Sequence, residues 1–156
     1  VCSSDLSNGI NTYRAKNYSQ VKKSLNRIYE LKDTAVINPF KEIEAEYRVI
    51  CLNGNPELSF LKERTAGEWR HNLSRGATAK IITDEQLKKE LGDLAIKVTN
   101  IIGINFASVD LIRVDGELMV LEVNSSVCMS KFMEQVEYGR EIAKRIYGKT
   151  IDSLFE

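Results

Sequence analysis

Asp110-Leu111-Ile112-Arg113-Val114-Asp115-Gly116-Glu117-Leu118-Met119-Val120-Leu121-Glu122-Val123-Asn124 is the stretch whose reading decides the fold. Two apolar runs, Phe106 to Val114 and Leu118 to Asn124, flank Asp115-Gly116, a turn dipeptide. The stretch therefore reads as a β-hairpin. Glu122 and Asn124 are two apart on one strand, so their side chains leave the same face. Asp110 lies on the partner strand, and its face depends on the turn. A two-residue turn at Asp115-Gly116 pairs Val114 with Glu117 and sets Asp110 opposite Leu121, away from Glu122. A three-residue turn, Asp115 to Glu117, pairs Val114 with Leu118 and sets Asp110 opposite Glu122. In that register three oxygen-bearing side chains share a face, as a hard cation such as Mg²⁺ requires. A metal reading thus predicts the three-residue turn, with Gly116 or a nearby bulge supplying the left-handed residue. Taken alone, the two carboxylates also suit an ordinary solvated strand face. The apolar run Leu118 to Val123 argues otherwise, because it places Glu122 in what should be core, where a carboxylate needs a partner or a metal.

Outward from this hairpin the chain mixes strands and helices without strict alternation, which predicts an α+β fold with a mainly antiparallel sheet. Upstream, Glu46 to Leu52 alternates as a strand, and Asn53-Gly54-Asn55 turns it into a second strand, Leu58 to Glu63. Thr83 with Gln86 predicts the capped start of a helix that runs through Leu87, Leu91, Leu94, Val98 and Ile102 to Gly103. The tail from Ser130 to Phe155 is expected to be helical, with a break near Gly148. Nearer the N-terminus, Ile10 to Ala15 is a strand candidate. Ser19 is the expected cap of a helix bearing Val21, Leu25, Ile28 and Leu31, and Ala35 to Ile37 is a short strand that stops at Asn38-Pro39.

The 156 residues suffice for a domain with a real core, and 43% hydrophobic with 28% charged residues is an ordinary globular composition. Lys and Arg total 22 against 22 Asp and Glu, a balance that speaks against nucleic acid as a main partner. No apolar run is long enough to span a bilayer. Three widely spaced cysteines, Cys2, Cys51 and Cys128, form no CxxC pair and suggest neither a disulfide framework nor a zinc cluster, so a cytoplasmic location is expected.

Residues 64 to 79 follow neither period. Arg64, Arg70 and Arg75 with Asn72 and Gly76 make a cationic loop suited to phosphate, since Arg keeps its charge when water is excluded. Three scattered arginines also occur on plain solvated loops. His71, the only histidine, reads as a loop surface residue, and Trp69 as a loop anchor. Ser7-Asn8-Gly9 is a turn that could present backbone N–H groups to a phosphate.

Several strings carry a family resemblance. They are Ser7-Asn8-Gly9-Ile10, Ile37-Asn38-Pro39-Phe40, Glu46-Tyr47-Arg48-Val49, the run from Gly67 to Gly76, Ser108-Val109-Asp110-Leu111, and Leu121-Glu122-Val123-Asn124-Ser125-Ser126. In this order they resemble the C-terminal part of the RimK-like ATP-grasp ligases, the group that includes glutathione synthetase and the glutamate-adding ligases. The resemblance covers almost the whole chain from Ser7.

It implies the ATP-grasp C-terminal subdomain and an ATP- and Mg²⁺-dependent ligase, Mn²⁺ being an alternative ion. Such an enzyme activates a carboxylate as an acylphosphate and joins it to the amine of an amino acid, peptide or protein tail. Ser7, Asn8 and Gly9 would close over the phosphates. Asn38, Pro39, Phe40 and Lys41 would form the adenine hinge, with Glu46 in the nucleotide set. Asp110, Glu122 and Asn124 would hold the metal, and Arg70, Asn72 and Arg64 would stabilise the transferred phosphate. The alternative reading is a non-catalytic Mg-ATP-binding module of the same fold.

The chain departs from the family pattern in two places. Relatives carry a Lys-Pro pair before the glycine loop, where this sequence has Ser3-Ser4. Those residues lie in Val1 to Leu6, which looks like translated sequencing adapter, so residues 1–6 are expected to be a non-native leader and 7–156 a partial ATP-grasp domain that binds ATP poorly by itself. Many relatives also follow the Asn-Ser string with Pro-Gly, where this chain has Ser126-Val127-Cys128-Met129-Ser130. The acceptor therefore does not carry over, and Cys128 is expected to be a small apolar filler.

Overall fold

The computed structural model describes residues 2–3 and 11–155. It separates into two compact units, Val1–Glu42 and Ile43–Glu156.

In the first unit, helix α1 (Tyr18–Glu30) starts from Asn17, not Ser19. Asn17 is extended, and its side chain accepts the Gln20 N–H at 3.0 Å, which satisfies a first-turn donor two residues earlier than expected. Strand β1 (Cys2–Ser3) pairs antiparallel with β2 (Ala35–Val36), Cys2 opposite Val36. Two residues of the expected leader thus take part in a sheet. Of the strand expected at Ile10 to Ala15, Ile10 lies outside the described residues, Thr12 makes a single bridge, and Tyr13 to Ala15 are irregular.

The second unit is a five-stranded antiparallel sheet in the order β5-β4-β3-β6-β7, formed by β3 (Ala45–Leu52), β4 (Asn55–Glu63), β5 (Thr78–Ile81), β6 (Phe106–Val114) and β7 (Glu117–Asn124). The β3–β4 turn is Asn53-Gly54, both at positive φ (48° and 73°), as a tight hairpin with the native strand twist demands. Strand β5 was not legible in the sequence. It pairs only with β4 and shows one buried residue, Ala79, with no alternation to betray it.

Helix α2 (Glu85–Ile102) covers one face of the sheet, its Leu91 and Ala95 packing with Tyr47, Val49, Cys51, Val109 and Leu111. Its cap is Asp84 rather than Thr83, with Oδ1 accepting from Gln86 N at 2.9 Å and Leu87 N at 3.1 Å. Gly103 ends it at φ 77°, as its position predicts. The other face is covered at one end by α3 (Ser130–Gln135) and α4 (Gly139–Asp152), where Met129, Phe132, Ala143 and Ile146 meet Ile50, Phe60 and Ala79.

The tail breaks at Val136–Tyr138, not near Gly148, which lies inside α4. Gly139 explains the position: a Cβ there would stand 2.9 Å from the Phe132 carbonyl oxygen, so the two helices meet this closely only at a glycine. No described helix is long and apolar enough to cross a membrane.

The run Leu118 to Val123 is core only at its ends, where Leu118 and Val123 pack partly buried against the cluster under α2. Strand β7 is the sheet edge, and Met119, Val120 and Leu121 are 39%, 37% and 50% exposed. An edge strand has one neighbour, so its apolar residues are covered from one side only.

Candidate functional site

The alternation of β3 sends Tyr47, Val49 and Cys51 under α2 and Glu46, Arg48 and Ile50 to the opposite face. Only the Ile50 end of that opposite face is covered by α3 and α4. At the other end stands a ladder of charges from four adjacent strands: Lys62 on β4, Glu46 and Arg48 on β3, Asp110 on β6 and Glu122 on β7.

The hairpin reaches this arrangement by an unexpected route. Its turn is the two-residue one, with Val114 opposite Glu117, Asp115 at φ 52° and Gly116 at φ 78°. The expected three-residue turn is therefore wrong. The pairing then slips between Asp110 and Leu111: Leu111 faces Val120, Asp110 faces Glu122, and Leu121 is the extra residue. This bulge reverses the parity set by the turn and brings Asp110 and Glu122 onto one face.

Asp110 is buried and held from two sides. Arg48 donates from Nε to Oδ1 and from Nη2 to Oδ2, both at 2.7 Å. Lys62 donates from Nζ to the same Oδ2 at 2.7 Å and to Glu46 Oε1 at 2.6 Å. Burial alone would push the Asp110 carboxyl up, but the Arg48 hydrogen bonds and the Lys62 and Arg48 charges outweigh it and hold the group below the usual range. Glu122 is half-buried and moves the other way. Desolvation, joined by its closeness to Asp110, pushes its carboxyl up against the pull of the Asn124 amide, which donates from Nδ2 to Glu122 Oε1 at 3.1 Å. One face thus carries two carboxyl groups with opposed shifts.

The predicted site residues fall into separate places. Asp110, Glu122 and Asn124 come together, and Glu46 joins them through Lys62. The loop residues Arg64, Arg70 and Asn72 occupy the segment between β4 and β5, Asn72 preceding a 3₁₀ turn, Leu73–Arg75. Arg70 lies over the Trp69 ring at 4.6 Å and reaches Glu68 Oε1 at 3.4 Å. That carboxylate also accepts the Trp69 and Arg70 N–H groups, and those bonds hold it below its usual range.

His71 is not a surface residue. It is 5% exposed, its Nδ1 is 3.1 Å from the Lys62 carbonyl oxygen, and its Nε2 is buried without a hydrogen-bond partner among the described residues. It pins the loop to β4 at the residue whose side chain reaches Asp110. Asn38, Pro39, Phe40 and Lys41 lie exposed in the first unit, with the Arg14 guanidinium 3.8 Å above the Phe40 ring. Ser7, Asn8 and Gly9 lie outside the described residues. Cys128 is exposed rather than a filler: its neighbour Met129 takes the buried position, and Cys128 Sγ lies 3.3 Å from Ser130 Oγ, a contact that draws the thiol down.

Sequence reasoning missed Arg48 and Lys62 as members of the site. Arg48 sits two residues after Glu46 on an alternating strand and so was readable as its face-mate. Lys62 was not, because its partners are 16 and 48 residues away.

Among the described residues no group of three or more His, Cys, Asp or Glu side chains is placed to hold a metal. The Asp110, Glu122 and Asn124 set offers two carboxylates and an amide, all with hard oxygen atoms. This donor set suits Mg²⁺, which keeps waters and takes its remaining ligands from phosphate.

The fold places the chain among the ATP-grasp proteins. It superposes on the D-alanine–D-alanine ligase of Bacillus anthracis complexed with ATP at a TM-score of 0.58 and 17% identity, over 87% of this chain and 45% of that one. More narrowly, the chain belongs to the RimK-like ATP-grasp family, whose model matches residues 1–149. Curated relatives include a "Probable alpha-L-glutamate ligase" of Trichodesmium erythraeum (strain IMS101), 33% identical over 77% of this chain and 40% of its own length. Another of the same name, from Aliivibrio salmonicida (strain LFI1238), is 37% identical over 53% of this chain and 26% of its own length. The chain spans a quarter to under half the length of such relatives.

Proposed function

We propose that this chain supplies the metal- and phosphate-holding sheet of an ATP-dependent carboxylate–amine ligase. The observation that carries the reading is the bulge at Leu121, which sets Asp110 and Glu122 face to face on a sheet buttressed by Arg48 and Lys62. Membership of the RimK-like family supports the reaction class.

In this reading Asp110, Glu122 and the Asn124 amide oxygen hold Mg²⁺, or Mn²⁺ in its place, and the ion when bound neutralises charge on the nucleotide phosphates. A substrate carboxylate oxygen attacks the γ-phosphorus and ADP leaves. The acylphosphate carbonyl then accepts an amine, and inorganic phosphate departs. Every step gathers negative charge, so cations and N–H donors carry the catalysis rather than a protein nucleophile. Arg70, Asn72 and Arg64 stand in the loop that His71 fastens beside Lys62, and they serve the transferred phosphate. Asn38 to Lys41 and Glu46 serve the nucleotide.

The names of the curated relatives support an amino acid or peptide as one substrate. The free thiols Cys51 and Cys128 support a cytoplasmic setting. The test is Mg²⁺-dependent ATP binding and acceptor-stimulated phosphate release with pooled amino acids and peptides, for wild type and Glu122→Ala. Equal, measurable turnover in both would remove the metal assignment. Mg-ATP binding with no release for any acceptor, also in a chain carrying Lys-Pro in place of Ser3-Ser4, would leave a nucleotide-binding module.

A further inference from the structure

Lys62 is 3% exposed, and its ammonium sits between two carboxylates from two other strands, 2.6 Å from Glu46 and 2.7 Å from Asp110. Bringing two buried carboxylates this close to one point demands a cation between them. Asp110 Oδ2 already accepts from both Arg48 and Lys62, whereas Oδ1 accepts from Arg48 alone. On the other side of Asp110, Glu122 brings a third carboxylate with no lysine or arginine hydrogen-bonded to it among the contacts described. The face therefore holds two cations against three carboxylates. Its one net negative charge lies toward Glu122, on the side away from Lys62.

We propose that Lys62 is a positioning residue that acts as a built-in monovalent cation. It keeps Asp110 in place while no metal is bound, and it sets how tightly a divalent ion binds by competing for Asp110. The proposal rests on the metal reading above. The Arg48 fork and the Lys62 ammonium fix the Asp110 carboxylate, with two hydrogen bonds to Oδ2 and one to Oδ1, so Oδ1 and Glu122 are the oxygens with capacity for an incoming ion. A divalent ion at that point stands close to a desolvated ammonium, and the repulsion lowers its affinity. Tight metal binding then needs the negative charge of a polyphosphate brought with it.

The experiment is Mn²⁺ binding, followed by electron paramagnetic resonance of free Mn²⁺, to wild type, Lys62→Met and Lys62→Arg, with and without ATP. Lys62→Met is expected to tighten Mn²⁺ binding without nucleotide by about tenfold or more. Lys62→Arg, which keeps the charge, should stay near wild type. A residue that only supports the fold would give weaker binding in both variants. The wild type gives a second readout that needs no variant: the buried Lys62 ammonium ¹⁵N resonance should shift when Mg²⁺ saturates the site. Mn²⁺ binding that Lys62→Met leaves unchanged or weakens overturns the proposal, and so does an unmoved Lys62 resonance at Mg²⁺ saturation. Wild type that binds no Mn²⁺ even with ATP overturns the metal reading itself, and this proposal with it.

Discussion

Asp110 stands opposite Glu122 across the β6–β7 hairpin although the turn that joins the strands sets Val114 opposite Glu117. By simple alternation those two pairings are incompatible, and one extra residue, Leu121, reconciles them. The shared face of the two carboxylates therefore depends on a bulge and not on the turn.

Deleting Leu121 tests this directly. The shortened strand would run in regular register from Glu117, and Glu122 would still fall opposite Asp110. The variant is expected to keep the cross-strand contacts between Asp110 and Glu122 in NMR spectra and to keep its Mn²⁺ binding. Loss of both would mean that the bulge does more than correct parity.

The two facing carboxylates should differ in what they contribute. Asp110→Asn removes the counter-charge of Arg48 and Lys62 in a buried site and should cost roughly 3–5 kcal/mol in urea unfolding. Glu122→Gln changes a half-buried group whose hydrogen-bond partner is the neutral Asn124 amide and whose facing charge, Asp110, repels it, and should shift stability by less than about 1 kcal/mol. It should nevertheless abolish Mn²⁺ binding, so stability and metal affinity separate between two residues that face each other.

The opposed pKa shifts predict a two-limbed pH profile without metal. Glu122 lies above its unfolded value of about 4.3, so its ionisation opposes folding; stability rises as pH falls from neutral through the folded Glu122 pKa. Asp110 lies below its unfolded value of about 3.9; its contribution is complete above that value and is lost as pH falls through the folded Asp110 pKa. Urea unfolding between pH 8 and pH 3 should show the gain before the loss. Glu122→Gln should flatten the first limb and leave the second. A profile that falls steadily from pH 8 would contradict the Glu122 assignment, and one with no acid loss would contradict that of Asp110.

His71 should matter for the loop more than for the sheet. Its Nδ1 contact with the Lys62 carbonyl is the buried tie between residues 64–77 and β4. His71→Leu keeps the packing and removes the hydrogen bond, at a cost of about 1 kcal/mol. Amide exchange in residues 64–77 should accelerate while β3 and β6 stay protected. Unchanged exchange in the loop would show that the tie is not what holds it.

Much of this was legible in the sequence. Strand β6, the β3–β4 hairpin, the body of α2 and the antiparallel α+β class follow from periodicity and turn residues, which are local properties of the chain. The pairing of Glu122 with Asn124 on one face is equally local. Helix caps were displaced by a residue or two because neighbouring Asn, Asp, Ser and Thr compete for the same N–H groups, and backbone conformation decides among them. The tail break was misplaced because Gly139 matters through its approach to the Phe132 carbonyl, a tertiary contact.

The sequence by itself determined the family strings, the kinds of side chain available and the faces along each strand. Tertiary structure alone decided which faces meet. The bulge that turns Asp110 toward Glu122, the burial of His71, the exposure of the β7 edge and the placing of Lys62 between Glu46 and Asp110 all arise from pairings between distant segments. A strand's own alternation cannot record an extra residue's effect on its partner, and the charge balance of a buried carboxylate exists only once several strands lie side by side.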